Sequence, residues 1–91
     1  MLSLRLTNPY DDKMVTIWLE PLGEDYWMRP GEAFTFEFDE SDFSERMCGA
    51  HFDVSWTNGD LVVWTGALEN VWVRDQSGTG LDCGHQRPPS E

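Results

Sequence analysis

Basic residues are scarce in this chain: six Lys and Arg stand against seventeen Asp and Glu, for a formal net charge of −11. A surface of that sign repels phosphates, which argues against direct binding of nucleic acid or of an anionic membrane. Histidine and cysteine are few as well, with two of each. Neither histidine belongs to a nucleophile motif such as G-x-S-x-G, and the phosphate-cradling patterns G-x-x-x-x-G-K-[ST] and G-x-G-x-x-G do not occur. No apolar run approaches the roughly 20 residues that span a bilayer. The N-terminal MLSLRLTNPY also lacks the basic stretch followed by an apolar one that directs secretion. These absences lead to the expectation of a cytoplasmic protein that is not an enzyme and carries no cofactor.

What the chain does have is aromatic residues in alternation. Its 91 residues make one domain, and a domain this small buries only about 60–65% of its unfolded surface. Five Trp and five Phe offset that, since each buried aromatic removes on the order of 150–250 Å² from water. The stretch from Ile17 to Phe38 organises the rest. Within it Phe34, Phe36 and Phe38 leave one face of a strand, and Thr35, Glu37 and Asp39 leave the other, because side chains alternate across a sheet.

Taken in order, Leu2, Leu4 and Leu6 alternate with polar residues as a half-buried strand that Asn8-Pro9 stops. Val15, Ile17 and Leu19 form the next inward face, with Trp18 on the reverse and Pro21 as terminator. Residues 22–29 read either as an irregular strand or as a loop between sheets. Pro30-Gly31 suits the centre of a type II turn. A short helix is expected around 40–48, capped by Asp39 or Ser41, with Phe43 and Met47 docking on the core. Asn58-Gly59 is the preferred pair for a type I′ hairpin, which would oppose Trp56 to Leu61 and Val54 to Val63. Phe52, Val54, Trp56, Leu61 and Val63 would then share the core face. A last strand lies between Leu68 and Asp75. The Gly- and Pro-rich remainder reads as a flexible or loosely docked tail over 76–91, dispensable to a sandwich domain over 1–75.

Six to seven short, mostly antiparallel strands with at most one short helix indicate an all-β fold, a single small β-sandwich or partly open barrel. The succession of strand, Asn8-Pro9, strand, Pro30-Gly31-Glu32 and strand resembles the opening of small immunoglobulin-like or cupredoxin-like domains. The segment WLEPLGEDYWMRPGE is similar to a stretch of short uncharacterised bacterial proteins. This resemblance covers 15 of the 91 residues and implies a β-sandwich, with no activity attached. A cupredoxin would hold copper with two His, one Cys and an axial Met; His51, Cys83 and His85 are present, but no Met follows His85. Cys48, His51, Cys83 and His85 together have the ligand count of a structural zinc site, though the Cys83-x-His85 spacing is shorter than a finger's.

The remaining candidates are on the surface. Glu37, Asp39, Glu40, Asp42 and Glu45 fall within nine residues, and Glu24 and Asp25 precede the Pro-Gly turn. Carboxylates at this density imitate a phosphate backbone and suit a cationic surface. Trp18 and Trp64, with Trp72 as a further candidate, fall on the faces opposite the core, where an aromatic can anchor an interface. Phage anti-restriction and anti-CRISPR proteins, and bacterial immunity proteins, are similar in size and charge. The expected function is therefore a non-enzymatic acidic protein that blocks a basic protein surface, such as that of a nucleic-acid-binding protein. One alternative is an assembly module that forms homo-oligomers. Another is a metal- or carbohydrate-binding domain using His51 or an exposed Trp.

Overall fold

A computed structural model describes residues 1–44 and 49–89. The alternating runs become seven strands: β1 (Leu2–Thr7), β2 (Val15–Glu20), β3 (Glu24–Met28), β4 (Ala33–Phe38), β5 (Phe52–Thr57), β6 (Asp60–Thr65) and β7 (Val71–Asp75). They pair into a three-stranded sheet of order β1-β4-β7 and a four-stranded sheet of order β3-β2-β6-β5. All pairings are antiparallel except β2 with β6. The fold is all-β, two sheets packed as a small sandwich. No helix among the described residues is long and apolar enough to cross a membrane.

Both sheets turn their apolar faces inward. Phe34, Phe36 and Phe38 run down the centre of the three-stranded sheet with no exposed surface; Phe34 and Phe36 join Ile17, Leu19 and Val63 of the other sheet in one core, and Phe38 packs on Phe52. The Tyr26 ring packs edge-on against Phe36, with centroids 6.0 Å apart. Asn8, which the sequence suggested only as a strand terminator, is buried and ties the loops between strands. Its amide donates to the carbonyls of Lys13 and Met28, its backbone N–H to Glu32, and its side-chain oxygen accepts from Tyr10 N–H.

The segment of undecided character is strand β3, held in register by β2 from Val15 opposite Met28 to Leu19 opposite Glu24. Gly31 has φ 78°, the left-handed conformation that a type II turn demands after Pro30. The Asn58-Gly59 loop has φ of 49° and 85°, and the hairpin register is the expected one. The short helix is a single 3-10 turn, Glu40–Asp42, capped by Asp39, which accepts from Ser41 N–H. Phe43 then turns extended, and its ring sits against Gly66, where a Cβ would collide with it. Met47, Glu45 and Cys48 lie outside the described residues.

Two expectations are corrected. Val54 and Trp56 share a face with Leu61 and Val63, yet they are 38% and 58% exposed. Three strands facing four cover only the start of the outermost, β5, where Phe52 packs on Phe38, and leave Val54 and Trp56 partly open among the described residues. The segment after Gln76 also does more than hang from the sandwich. Leu81 N–H donates to Val73 O, Trp27 N–H to His85 O, and Gly84 N–H to Asp25 O. His85 packs edge-on to Phe34, with ring centroids 5.6 Å apart. The segment thus bridges the edges of β7 and β3, one from each sheet, through backbone bonds that leave no apolar pattern in the sequence.

Candidate functional site

Strand β4 runs antiparallel to β7, so Glu37 lies opposite Trp72 and Thr35 opposite Arg74. The Phe residues between them point into the core, and the period of two therefore puts these four on the outer face of the three-stranded sheet. Arg74 Nε donates to Glu37 Oε1 at 2.6 Å. Trp72 is 43% exposed beside that pair. Past the end of β4, Asp39 and Glu40 are exposed and Asp42 partly so. The hydrogen bonds from Ser41 hold the Asp39 carboxyl below its ordinary pKa, so it stays charged.

Around the edge of that face, between β7 and β3, a cleft of about 390 Å³ opens under residues 80–83. Glu24, Tyr26, Trp72, Arg74, Asp82 and Cys83 all line it. Tyr26 donates from its hydroxyl to Glu24 Oε1 at 3.0 Å. Burial, and then the neighbouring Glu24 carboxylate, push the Tyr26 phenol well above its usual range, so it remains a neutral donor. Arg74 is already paired with Glu37, which leaves Glu24 and Asp82 as charges facing the opening. Two carboxylates and an exposed indole lining one cleft suit an ammonium or guanidinium group, by Coulomb attraction and by cation–π contact.

The sequence-predicted residues are divided among several places. Glu37, Asp39, Glu40 and Asp42 gather at one end of the three-stranded sheet, and Glu24 lies in the cleft. Asp25 is not available to a partner: it is 5% exposed and accepts from Trp27 Nε1 at 2.7 Å, from Arg87 Nε at 2.8 Å and from Arg87 Nη2. The Arg87 guanidinium holds its carboxyl well below the usual carboxylate range, against the opposing effect of burial and with help from Trp27. Trp18 and Trp64 are 40% and 38% exposed, on the outer face of the four-stranded sheet. No second sheet covers them, but they point away from the acidic end on the far side of the sandwich. The aromatic beside the carboxylates is Trp72, whose pairing with Glu37 joins residues 35 positions apart in sequence.

The metal candidates are separated as well. His51 packs against Phe43 next to β5, with ring centroids 4.7 Å apart, whereas Cys83 and His85 lie beside β3. Those edges stand three strand spacings apart, roughly 14 Å, beyond the reach of shared coordination. Among the described residues no three His, Cys, Asp or Glu are grouped to hold a metal ion. Cys83 is a free, exposed thiol. No family model, curated protein or solved structure matches this chain.

Proposed function

We propose that this protein is a non-enzymatic acidic binder that covers a basic protein surface, as an inhibitor or immunity protein does. The observation that carries the reading is the exposed Trp72 set directly beside Glu37, between the carboxylates of Asp39, Glu40 and Asp42 and the cleft of Glu24 and Asp82. An aromatic anchor with an acidic rim matches the composition of interface hot spots, and the charge adds long-range attraction. The same spacing of carboxylates would occupy a channel built for phosphates, so a nucleic-acid-binding protein is the favoured partner, as for anti-restriction and anti-CRISPR proteins. Cytoplasmic action belongs to the proposal, since an exposed free thiol such as Cys83 persists in a reducing compartment.

The test is kinetic. A partner captured at low salt should associate fast, and the rate should fall steeply as salt rises, because steering is screened beyond about 10 Å at 0.1 M. Asp39→Lys with Asp42→Lys should slow association. Trp72→Ala should speed dissociation, and nucleic acid should compete for the partner. Association indifferent to salt and to the double reversal would sink the reading.

A further inference from the structure

We propose that β5 is a self-recognition edge, through which two copies of this chain join antiparallel into one continuous eight-stranded sheet. Of the four sheet edges, β3 and β7 are occupied by residues 80–86. Edge β1 carries Arg5 and packs Leu4 and Leu6 on the core. Edge β5 carries none of the usual protections: its six residues contain no Lys, no Pro and no bulge, and Asp53 is its only charge. The two-residue loop makes Thr57 and Asp60 a hydrogen-bonded pair, and alternation along the hairpin does the same for Ser55 and Asp53 with their β6 partners. Phe52, Val54 and Trp56 therefore aim their backbone N–H and C=O groups outward, where nothing among the described residues pairs with them.

The residue order of β5 selects a second copy as the occupant. With Ser55 on the two-fold axis, each Val54 faces the other chain's Trp56, and each Asp53 faces a Thr57. Apolar side chains then meet apolar ones on the uncovered inner face. The two Trp56 rings become diagonal neighbours, with Cβ atoms about 7–8 Å apart and within aromatic reach. The two Asp53 carboxylates stand about 14 Å apart, from ~3.4 Å per residue and ~4.8 Å between strands. Shifting the axis to Val54 would bring them within about 8 Å, so charge also favours the Ser55 register. The pairing gives cover to Val54 and Trp56, which are 38% and 58% exposed in the single chain. It also leaves the Trp72 face and the cleft free, because β5 is the edge of its sheet farthest from β3. A strand pair of this length falls at or below the low end of stable interfaces, about 1,200 Å², so the dimer should exchange readily with monomer.

Light scattering and sedimentation of the full chain, from micromolar to near-millimolar concentration, should show the mass rising from one chain to two. High salt should strengthen the dimer, since each chain carries −11. That is the opposite of the salt effect expected for a basic partner. Val54→Lys should remain a monomer throughout, with an unchanged melting temperature in dilute solution. With Cys48→Ser and Cys83→Ser in the background, Ser55→Cys should cross-link two chains under diamide. The on-axis pair is non-hydrogen-bonded, with Cα atoms about 4.5 Å apart, inside the disulfide range. Thr57→Cys, off the axis, should not cross-link. A monomer at every concentration overturns the proposal. A dimer that survives Val54→Lys, or equal cross-linking from both cysteines, overturns it too.

Discussion

Strands β4 and β5 read almost alike. One places Phe at 34, 36 and 38, and the other places Phe52, Val54 and Trp56 at the same spacing with polar residues between. Their fates differ: the three Phe have no exposed surface, while Val54 and Trp56 are exposed to water. Strand β4 is the middle of its sheet, with β1 and β7 on either side and the four-stranded sheet across from it. Strand β5 is an edge of the larger sheet: Phe52 at its start still packs on Phe38, with ring centroids 5.3 Å apart, but Val54 and Trp56 lie beyond that cover. Alternation decides which side chains share a face; the strand count of the two sheets decides whether that face is covered.

The largest expected effect tests the buried half of this comparison. Phe36→Ala should cost roughly 3–5 kcal/mol and can prevent folding in a domain of this size, as chemical denaturation would show. A cooperative melt near the wild-type midpoint would mean that β4 is not the centre of the core.

Next in size is removal of the segment that closes the β3–β7 side. Truncation after Gln76 should lower the melting temperature clearly, because it unpairs two strand edges and strips Arg87 from the buried Asp25. Arg87→Ala isolates the ion pair and gives the effect a pH signature. Asp25 has a depressed folded pKa, so its contribution is present above the unfolded carboxylate range, about 4, and is lost as pH falls below it. The gap in melting temperature between wild type and Arg87→Ala should therefore shrink in acid. Tyr26 works in the opposite sense. Its raised pKa makes its contribution complete below about 10 and lost as pH rises beyond, so alkaline melting should begin there.

Smaller again is the turn that sets the β5–β6 register. Gly59 has φ 85°, and Gly59→Val should cost about 1–2 kcal/mol, because a β-branched residue resists positive φ. Equal melting temperatures would contradict the turn geometry. The smallest effect belongs to β5 itself. Trp56→Ala in dilute solution should change stability by no more than about 0.5 kcal/mol, as for other exposed positions. A loss on the scale of Phe36→Ala would show that β5 is covered after all.

Local pattern made much of the architecture legible: the strands, the Pro30-Gly31 and Asn58-Gly59 turns, and the hairpin register all follow from side-chain period and turn chemistry. The acidic end of β4 was legible too, since its carboxylates lie close together in the chain. Trp72 as their aromatic neighbour was not. That contact depends on β7 pairing with β4 and not with β6, a choice made by long-range packing. Asp25 looked like one more surface charge among many, and only its meeting with Arg87 made it a buried partner. The docking of residues 80–86 was equally hidden, because backbone hydrogen bonds do not depend on side-chain identity.

By itself the sequence determined the all-β character of this protein, most of its strands and their two turns, its strong negative charge and which residues of each strand share a face. These follow from interactions within a few positions: alternation across the pleat, glycine at positive φ, and proline without a donor. Only the tertiary structure decided which faces are covered, which carboxylates stay free, which tryptophan stands among them, and that His51 does not meet Cys83 and His85. The reason is that burial and site geometry depend on how many strands face one another and in what order, and no local spacing encodes that.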